Sequence, residues 1–500
     1  MPSISLSQKP PVSAGQPPAI VWFRDDLRVS DHPALSEAIS SGAPLLCVYV
    51  YDEVSPGIRP LGGASRWWLH HSLAALSNAL GALGGRLDIL VGPGAETVEH
   101  LARASAAASV SWTRRYGKAE IEVDRRAKAS LAAAGIAVSS HKGQLLHEPW
   151  DVKTKAGDFF KVYSPFWRAA RALPEPARPL STPQRMNAAP WPADGPQRTS
   201  LDDLGLLPTK PDWAGGLRET WTPGEAGAHD KLETFLDEAL GSYAAGRDRP
   251  DMAATSGLSP HLRFGEISPR QVFHAARHAE HARGAAGRDV EKFISELGWR
   301  EFAYHLLFHA PDLARINFQR KFDAFPWLEP EPALLEAWKK GRTGYPIVDA
   351  GMRQLWTTGV MHNRVRMIAA SFLVKDLLVD WRVGEEWFWD TLCDADPANN
   401  PASWQWVAGT GADAAPYFRV FNPTLQGRKF DPGGAYVRTY VNELANLPDT
   451  WIHEPWSAPD HILREAGIEL GSTYPRPVLD HSRARDRALA ALSATRADSA

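Results

Sequence analysis

Residues 394–423 hold a dense group of side chains that could do chemistry. The segment reads DADPANNPASWQWVAGTGADAAPYFRVFNP, with two acidic residues separated by one residue, an Asn pair and an arginine between aromatic residues. Asp, Asn and Arg are rarely fully buried unless they are paired, so this is poor material for a simple core. Trp404 and Trp406 offer flat faces, and Gln405 between them offers edge hydrogen bonds. The triplet therefore indicates a surface that stacks on a ring system.

The spacing of Asp394 and Asp396 would suit a metal ion or a diol. No further His/Cys/Asp cluster at ligand spacing accompanies them, so we expect no metal site. The chain also has only two cysteines, Cys47 and Cys393, which cannot supply the four thiolates of an iron–sulfur cluster.

Two glycine- and serine-rich segments could contact phosphates. Tyr243-Ala-Ala-Gly-Arg247 precedes Thr255-Ser-Gly-Leu-Ser259, whose hydroxyl and N–H groups could cradle a pyrophosphate or could simply cap a helix. Gly92-Pro-Gly-Ala-Glu-Thr97 follows a strand but lacks the full G-x-G-x-x-G fingerprint. We interpret that segment as a strand-to-helix turn, with a dinucleotide site as the alternative.

A helical pattern places Glu296, Trp299 and Arg300 on one side of a helix, at spacings i, i+3 and i+4. On these residues alone the pattern fits a core tryptophan with solvated charges as well as a ligand-binding face. The later segment Met361-His-Asn363-Arg364-Val-Arg366-Met367 is, in isolation, a basic helix with a core methionine.

Taken together, these groups resemble the photolyase/cryptochrome family of flavoproteins, from about Ile20 to Leu444 and most densely after Tyr243. Within that family the chain is most similar to bacterial photolyases of cyclobutane pyrimidine dimers, of the class III group. The resemblance implies an α/β domain followed by a helical domain that binds FAD. It also implies that photoexcited reduced FAD passes an electron to the dimer, the ring splits, and the electron returns.

The resemblance assigns one set of residues to FAD. In the family, a T-S-x-L-S segment and an upstream tyrosine hold the phosphates, an Asp pairs with an arginine, and an Asn lies beside flavin N5. The matching residues are Tyr243, Thr255, Ser256, Gly257, Leu258, Ser259, Arg366, Asp394, Asp396 and Asn400. Plant cryptochromes carry Asp in place of this Asn. Because an amide can bond a reduced flavin in either protonation state, Asn400 favours a repair enzyme.

A second set is assigned to the DNA lesion. In the family, a Glu and a Trp on one helix bond and stack against the dimer, and a methionine lies beside it. The implied catalytic residues are Glu296, Trp299, Met367, Asn400 and Trp406. The implied DNA contacts are Arg247, Glu296, Trp299, Arg300, Asn363, Arg364, Gln405, Trp406 and Arg419. Photolyases are a known example of enzymes that extrude a base, and a poorly stacked dimer lowers that cost.

Further positions match an electron chain and an antenna. Of the twenty tryptophans, Trp404, Trp381 and Trp327 fall where the family keeps its electron-transfer chain. Tyr116-Gly-Lys-Ala-Glu120 resembles a segment whose Glu contacts a pteridine. We therefore expect Glu120 to contact a 5,10-methenyltetrahydrofolate antenna, with a deazaflavin or an empty site as alternatives.

These assignments predict a light-dependent lyase that splits cyclobutane pyrimidine dimers in UV-damaged DNA. We expect a monomer that needs no protein partner. The alternatives are a cryptochrome-like photoreceptor without repair activity and a (6-4) photolyase, although Asn363 stands where the latter carry a critical histidine. A flavin oxidoreductase with a diffusible substrate is disfavoured by the missing nucleotide fingerprint.

The composition limits the class of protein. The chain is 44% hydrophobic and 23% charged, with a net charge of −3, which argues against nonspecific coating of DNA but allows one basic groove. No apolar run approaches the roughly 20 residues that span a bilayer. The N-terminus lacks the apolar core of a secretory signal, and the low cysteine content fits a reducing cytoplasm. We therefore expect a cytoplasmic protein.

Hydrophobic patterning predicts the elements that position these residues. Buried strands are predicted at 19–24, 45–51, 87–91 and 110–113, alternating with helices such as 32–41 and 65–83. The predicted order is a disordered tail (1–18), a Rossmann-like parallel α/β domain (19–149), a linker (150–225), a helical FAD- and DNA-binding domain (226–480) and a C-terminal tail (481–500). Helical patterns at 231–244, 290–309 and 345–378 support the second domain.

Overall fold

The computed structural model of the protein describes residues 16–282, 284–413 and 418–497. Nearly all of the N-terminal tail predicted for residues 1–18 lies outside this range. The strands are β1 (Ala19–Phe23), β2 (Leu45–Tyr51), β3 (Leu87–Val91), β4 (Ser109–Thr113), β5 (Ala137–His141) and β6 (Arg198–Thr199). They form one sheet of order β5-β4-β1-β2-β3-β6, in which only β6 runs antiparallel to its neighbour.

Helices cover the sheet and form the second half of the chain. The α-helices are α1 (Pro33–Ser40), α2 (Gly63–Ala82), α3 (Gly94–Ala104), α4 (Lys118–Ala133), α5 (Tyr163–Arg171), α6 (Gly215–Thr220), α7 (Glu225–Glu238), α8 (Tyr243–Gly246), α9 (Ser259–Arg263), α10 (Pro269–Ala282), α11 (Gly287–His309), α12 (Pro332–Lys339), α13 (Pro346–Thr358), α14 (Asn363–Ser371), α15 (Trp381–Thr391), α16 (Asn399–Ala408), α17 (Pro423–Phe430), α18 (Ala435–Tyr440), α19 (Asp460–Glu465) and α20 (His481–Ala497). A single π-helical turn (Phe372–Asp376), hereafter the π turn, follows α14.

The apolar runs of the parallel strands are buried on both faces, as a sheet covered by helices requires. Along β1, Val21 and Phe23 enter a core shared with α1 and α2. The alternate residues Ile20 and Trp22 enter a separate core shared with α3 and α4. The predicted α/β domain followed by a helical domain is therefore confirmed. No helix in the described residues is long and apolar enough to cross a membrane.

Three segments differ from their predicted form. The predicted helix at 345–378 is broken, because Gly359 adopts a left-handed φ of +67° that ends α13. The predicted linker at 150–225 contains α5, α6 and the edge strand β6. The predicted C-terminal tail forms α20, which packs against the π turn.

Buried polar contacts join the two domains beneath the site. The indole N–H of Trp68 on α2 donates to Glu266 at 3.0 Å, and the other oxygen of Glu266 pairs with the His261 ring. All three side chains are almost fully buried. The guanidinium of Arg263 donates to Asp25 at 2.8 Å and to the Ala395 carbonyl at 2.9 Å. The α/β domain thus directly supports the segment that carries Asp394 and Asp396.

Candidate active site

The segment between α8 and α9 presents hydroxyl groups beside a left-handed turn. Thr255 and Ser259 are exposed, and the Ser256 hydroxyl accepts a hydrogen bond from the Leu258 N–H at 3.4 Å. Gly257 has a φ of +64°, a conformation that a side chain would strain. Tyr243 is buried against Phe235 and Phe293, and Leu258 is buried in the same core. The predicted phosphate-binding residues therefore lie together, with hydroxyls outward and apolar anchors inward.

The two neighbouring carboxylates have different environments. Arg366 donates to Oδ2 of Asp394 at 2.8 Å, whereas Oδ1 is buried and has no hydrogen-bond partner. Oδ1 of Asp396 accepts from the N–H groups of Ala398 and Asn399 at 2.8 and 2.5 Å, at the start of α16. An unpaired buried carboxylate oxygen is costly, so Asp394 requires a donor from a bound group. A flavin cofactor bearing hydroxyl and ring N–H groups fits this requirement.

Asn400 is held in one orientation by a charged pair. Its Nδ2 donates to the backbone carbonyl and to Oε1 of Glu385, at 3.0 and 2.9 Å. Glu385 in turn accepts two hydrogen bonds from Arg59 at 2.8 and 3.0 Å. Both N–H groups of the amide are thereby used, which leaves its carbonyl oxygen as the group for a ligand. Sequence reasoning missed Glu385, whose only signal is an acidic residue within the aromatic segment DWRVGEEWFW.

Glu296 lies in a chain of charges at the surface of α11. Its carboxylate pairs with Arg247 and, at 3.0 Å, with Lys292. Arg247 also approaches Asp248 at 3.6 Å, and Asp248 pairs with Arg364 at 2.7 Å. The side chain of Glu296 remains 27% exposed, so it can exchange these partners for a ligand. The structure thus brings Glu296, Arg247 and Arg364 together, as predicted for one DNA-facing surface.

Trp299 belongs to a stack of three aromatic rings. Its indole lies 3.7 Å from the Tyr163 ring at an interplanar angle of 10°, and the Trp167 ring lies nearly parallel to Tyr163 at 6.5 Å. Gly298 allows this arrangement, because a Cβ there would lie 2.7 Å from the Trp167 ring. The stack fixes the plane of the half-buried Trp299. Tyr163 and Trp167 were not anticipated because they come from the segment predicted as a linker.

The start of α14 combines cations with a neutral histidine. Asn363 is exposed, and the Arg364 guanidinium lies 4.4 Å from the Phe430 ring and 3.8 Å from the Met367 sulfur. Nδ1 of His362 accepts the Arg364 N–H at 3.2 Å and so caps the helix. Burial lowers the pKa of His362 to about 4, so this ring is neutral near pH 7. His362 is therefore a helix cap.

Two residues predicted to contact DNA are buried and bonded inside the protein. Arg300 donates to the carbonyls of Gln144 and Leu262 at 2.6 and 3.4 Å. Gln405 is fully buried; its amide donates to the Leu313 carbonyl at 2.6 Å, and its Oε1 accepts the Phe318 N–H at 2.8 Å. The predicted DNA contacts of Arg300 and Gln405 are wrong, because neither side chain can reach solvent without leaving these partners.

Two other residues predicted to contact DNA, Trp406 and Arg419, reach the surface. Trp406 is half-buried and Arg419 is exposed, and both line a small cavity together with Lys375, Gly409 and Phe418. Trp406 lies in the last turn of α16, and Arg419 lies in the described segment that begins at residue 418.

Of the three tryptophans of the predicted electron chain, Trp404 and Trp381 are buried and Trp327 is half-buried. Trp404 is buried against Phe388 at 4.9 Å and Trp338 at 6.3 Å. Trp381 is fully buried and its N–H donates to Asn317 at 2.8 Å. Trp404 and Trp381 belong to one buried cluster, and the half-buried Trp327 packs against its edge. This order suits a path from the interior to the surface.

Glu120 lies in the first turn of α4, half-buried, with its carboxylate folded back over Gly117. The Nε of the neighbouring Arg115 is buried without a hydrogen-bond partner. This neighbourhood can accept a polar ligand, but its chemistry does not select a folate over a deazaflavin. Within the described residues, no group of three or more His, Cys, Asp or Glu residues could hold a metal ion.

Comparisons with known proteins agree with this geometry. Residues 19–184 match the family model described as DNA photolyase, and residues 293–494 match the FAD binding domain of DNA photolyase. A deoxyribodipyrimidine photo-lyase of Agrobacterium fabrum is 53% identical over 96% of this chain and 98% of its own. Cryptochrome-1 of Arabidopsis thaliana is 38% identical over 95% of this chain and 70% of its own. The crystal structure of a bacterial class III photolyase from Agrobacterium tumefaciens matches with a TM-score of 0.92 and 52% identity, covering 99% of both chains.

Proposed function

Because the chain belongs to the DNA photolyase family, we propose that it is a light-dependent repair enzyme that splits cyclobutane pyrimidine dimers in UV-damaged DNA. The observation that carries this proposal is that Glu296 and the stacked Trp299 are both partly exposed on α11, one turn apart. A carboxylate beside a rigid ring provides one hydrogen-bonding and one stacking contact for an extruded dimer.

FAD is the cofactor of this domain, and when bound it supplies the photoexcited electron that opens the dimer. The chain's own residues bind and orient it. The unpaired oxygen of Asp394 would accept a hydrogen bond from the cofactor, and Arg366 holds that carboxylate in place. Asn400, fixed by Glu385, offers a carbonyl oxygen that needs no change of protonation.

The lesion is held by the surface that Glu296, Trp299 and Trp406 share with nearby cations. Trp299 keeps its plane through the stack with Tyr163, so little side-chain entropy is lost when a second ring packs on it. Arg247 and Arg364, now paired with carboxylates, can turn toward DNA phosphates. Asn363 is exposed beside them and Met367 lies below, which supports their roles at the lesion.

A repair enzyme fits better than a photoreceptor without repair activity. The amide of Asn400 is the observation that favours repair, since its two donors are fixed and no titrating carboxyl stands in that place. We further propose a monomer that works in the cytoplasm with a 5,10-methenyltetrahydrofolate antenna at Glu120. Both cysteines are buried and free, which supports a reducing compartment.

The proposal is tested with defined oligonucleotides that carry a cyclobutane dimer, a (6-4) photoproduct or no lesion. The reduced protein is incubated with each, in the dark and under blue light. We expect recovery of pyrimidine absorbance only for the cyclobutane dimer and only in the light. Repair of the (6-4) photoproduct would assign the protein to that class instead, and light-induced flavin changes without any repair would indicate a photoreceptor.

A further inference from the structure

Lys375 is a fully buried cation on the π turn. Its ammonium nitrogen donates to the carbonyl of Ala408 at 2.6 Å and lies 3.0 Å from the centre of the Phe418 ring. In the described part of the chain no carboxylate forms an ion pair with it. Burial lowers the pKa of Lys375 well below its usual value. Burying an ammonium group in this way is costly, so its position needs an explanation.

The backbone around Lys375 has an unusual conformation. A π-helical turn is rare and occurs often at functional sites. It is followed by Leu378, a non-glycine residue with a left-handed φ of +58°, which is also unfavourable. Helix α20 holds this strained segment: His481 pairs with Asp376 at 2.5 Å, and Arg487 donates to the Asp376 carbonyl at 2.5 Å. The C-terminal helix therefore stabilises the turn that directs Lys375 inward.

The carbonyl that accepts the hydrogen bond from Lys375 lies at the end of α16, the helix that carries several of the site residues. Ala408 is the last residue of α16, whose final carbonyls lack partners within the helix. A cation is favourable at that end because it complements the helix dipole. The same helix carries Trp404 and Trp406, and Trp406 lines one small cavity with Lys375 and Phe418.

We propose that Lys375 is a positioning residue for repair: through the Ala408 carbonyl it fixes the end of α16 so that Trp406 presents its ring to the dimer. This inference rests on the proposed role of Trp406 at the lesion. Trp404 has independent support, because Phe388 and Trp338 pack on its ring and Gly384 leaves room only for that ring. Loss of Lys375 should therefore displace Trp406 while Trp404 stays in place.

The test uses the full chain loaded with FAD and compares wild type, Lys375→Met, Trp406→Ala and the double variant. Methionine keeps most of the buried stem but removes the ammonium group. We expect Lys375→Met to lower dimer affinity or repair per absorbed photon by roughly tenfold to a hundredfold, the range for a small misplacement. FAD content and photoreduction through Trp404 should stay at the wild-type level. A general structural defect would instead lower repair, FAD content and photoreduction together.

The double variant decides between the outcomes. If Lys375 acts through Trp406, adding Lys375→Met to Trp406→Ala should cause little further loss. The inference would be overturned if the loss of repair in the double variant equalled the product of the two single losses. Wild-type repair in Lys375→Met would overturn it as well. Wild-type repair in Trp406→Ala would instead refute the proposed lesion contact itself.

A second variant covers the case in which Lys375→Met does not retain FAD. Phe418→Leu removes the ring against the ammonium group and keeps the hydrogen bond to Ala408. We expect a smaller loss of repair that again disappears in the Trp406→Ala background. Because the inference needs the ring to hold the ammonium group on the Ala408 carbonyl, it would be overturned by unchanged repair in Phe418→Leu or by a loss that multiplies with that of Trp406→Ala.

Discussion

Replacing Glu296 with alanine separates lesion recognition from general DNA binding. In the free protein the carboxylate pairs with Arg247 and Lys292, and it is 27% exposed. Such exposed pairs contribute about 1 kcal/mol or less, so the free energy of unfolding should hardly change. Against the lesion, the variant loses a hydrogen bond from the site to a desolvated base, which costs about 1–3 kcal/mol. Repair should therefore fall by about five- to 150-fold.

The affinity of Glu296→Ala for undamaged DNA should not fall. The variant removes one negative charge and releases two cations, Arg247 and Lys292, toward the phosphates. Each new phosphate contact steepens the dependence of log K on log salt concentration by about 0.9. The salt slope for undamaged duplex should thus become steeper by about 1 to 2, with unchanged or tighter binding at low salt.

The matched control is Glu291→Ala on the same helix. Glu291 also pairs with two arginines, Arg171 and Arg277, and is 42% exposed. Repair is followed as recovery of pyrimidine absorbance, and salt dependence as oligonucleotide binding at several salt concentrations. An equal loss of repair in the control, or loss of FAD from Glu296→Ala with unchanged repair per bound flavin, would refute the reasoning.

Three further variants test the site and one buried carboxyl group outside it. Trp404→Phe should abolish photoreduction of oxidised flavin with an external thiol yet leave repair by chemically reduced enzyme intact; Trp338→Phe, which removes a neighbouring buried indole, is the control and should photoreduce normally. Asn400→Asp should place a titratable carboxyl beside Glu385 and change the flavin species that accumulates on anaerobic illumination; identical spectra would count against the role of Asn400. Glu301→Gln should stabilise the fold at high pH, because burial raises the pKa of Glu301 from 4.5 to about 7. The folded state therefore favours the protonated acid, and wild type loses stability as pH rises from about 4.5 to 7. The gain from glutamine, which mimics the protonated acid, should be about 1–3 kcal/mol above pH 7 in denaturant titrations and should vanish near pH 4.5.

The sequence best predicts the strands whose side chains are buried on both faces of the sheet. The runs at 45–51 and 87–91 are mostly apolar, with Asp88 as the one charged residue, because helices cover both faces, and the observed strands coincide with the predictions. Strand β5 was missed because its sequence, AVSSH, belongs to a partly exposed edge and carries no apolar run. The break at Gly359 was missed because the flanking helices share a similar pattern, and only the backbone conformation separates them.

The site shows a similar division. Pairs close in sequence, such as Glu296 with Trp299 or Asp394 with Asp396, could be grouped from spacing alone. Arg300 and Gln405 could not be judged in this way, since their partners are backbone carbonyls distant in sequence. Residue type predicts exposure for both, and only the folded chain shows that they are buried. Lys375 was missed for the related reason that a lysine within the run FLVKDLLV reads as an interruption.

The most direct test of the central claim is the light dependence of repair by the chemically reduced protein, in one turnover, on an oligonucleotide with a single cyclobutane thymine dimer. Chemical reduction bypasses the tryptophan chain, so the result depends only on FAD and the lesion surface. The products are separated to identify the oligonucleotide in which the dimer has been split into two intact thymines. The account predicts this product after illumination and no such product in the dark. Equal yields in light and dark, or no product under illumination although the oligonucleotide is bound, would contradict it.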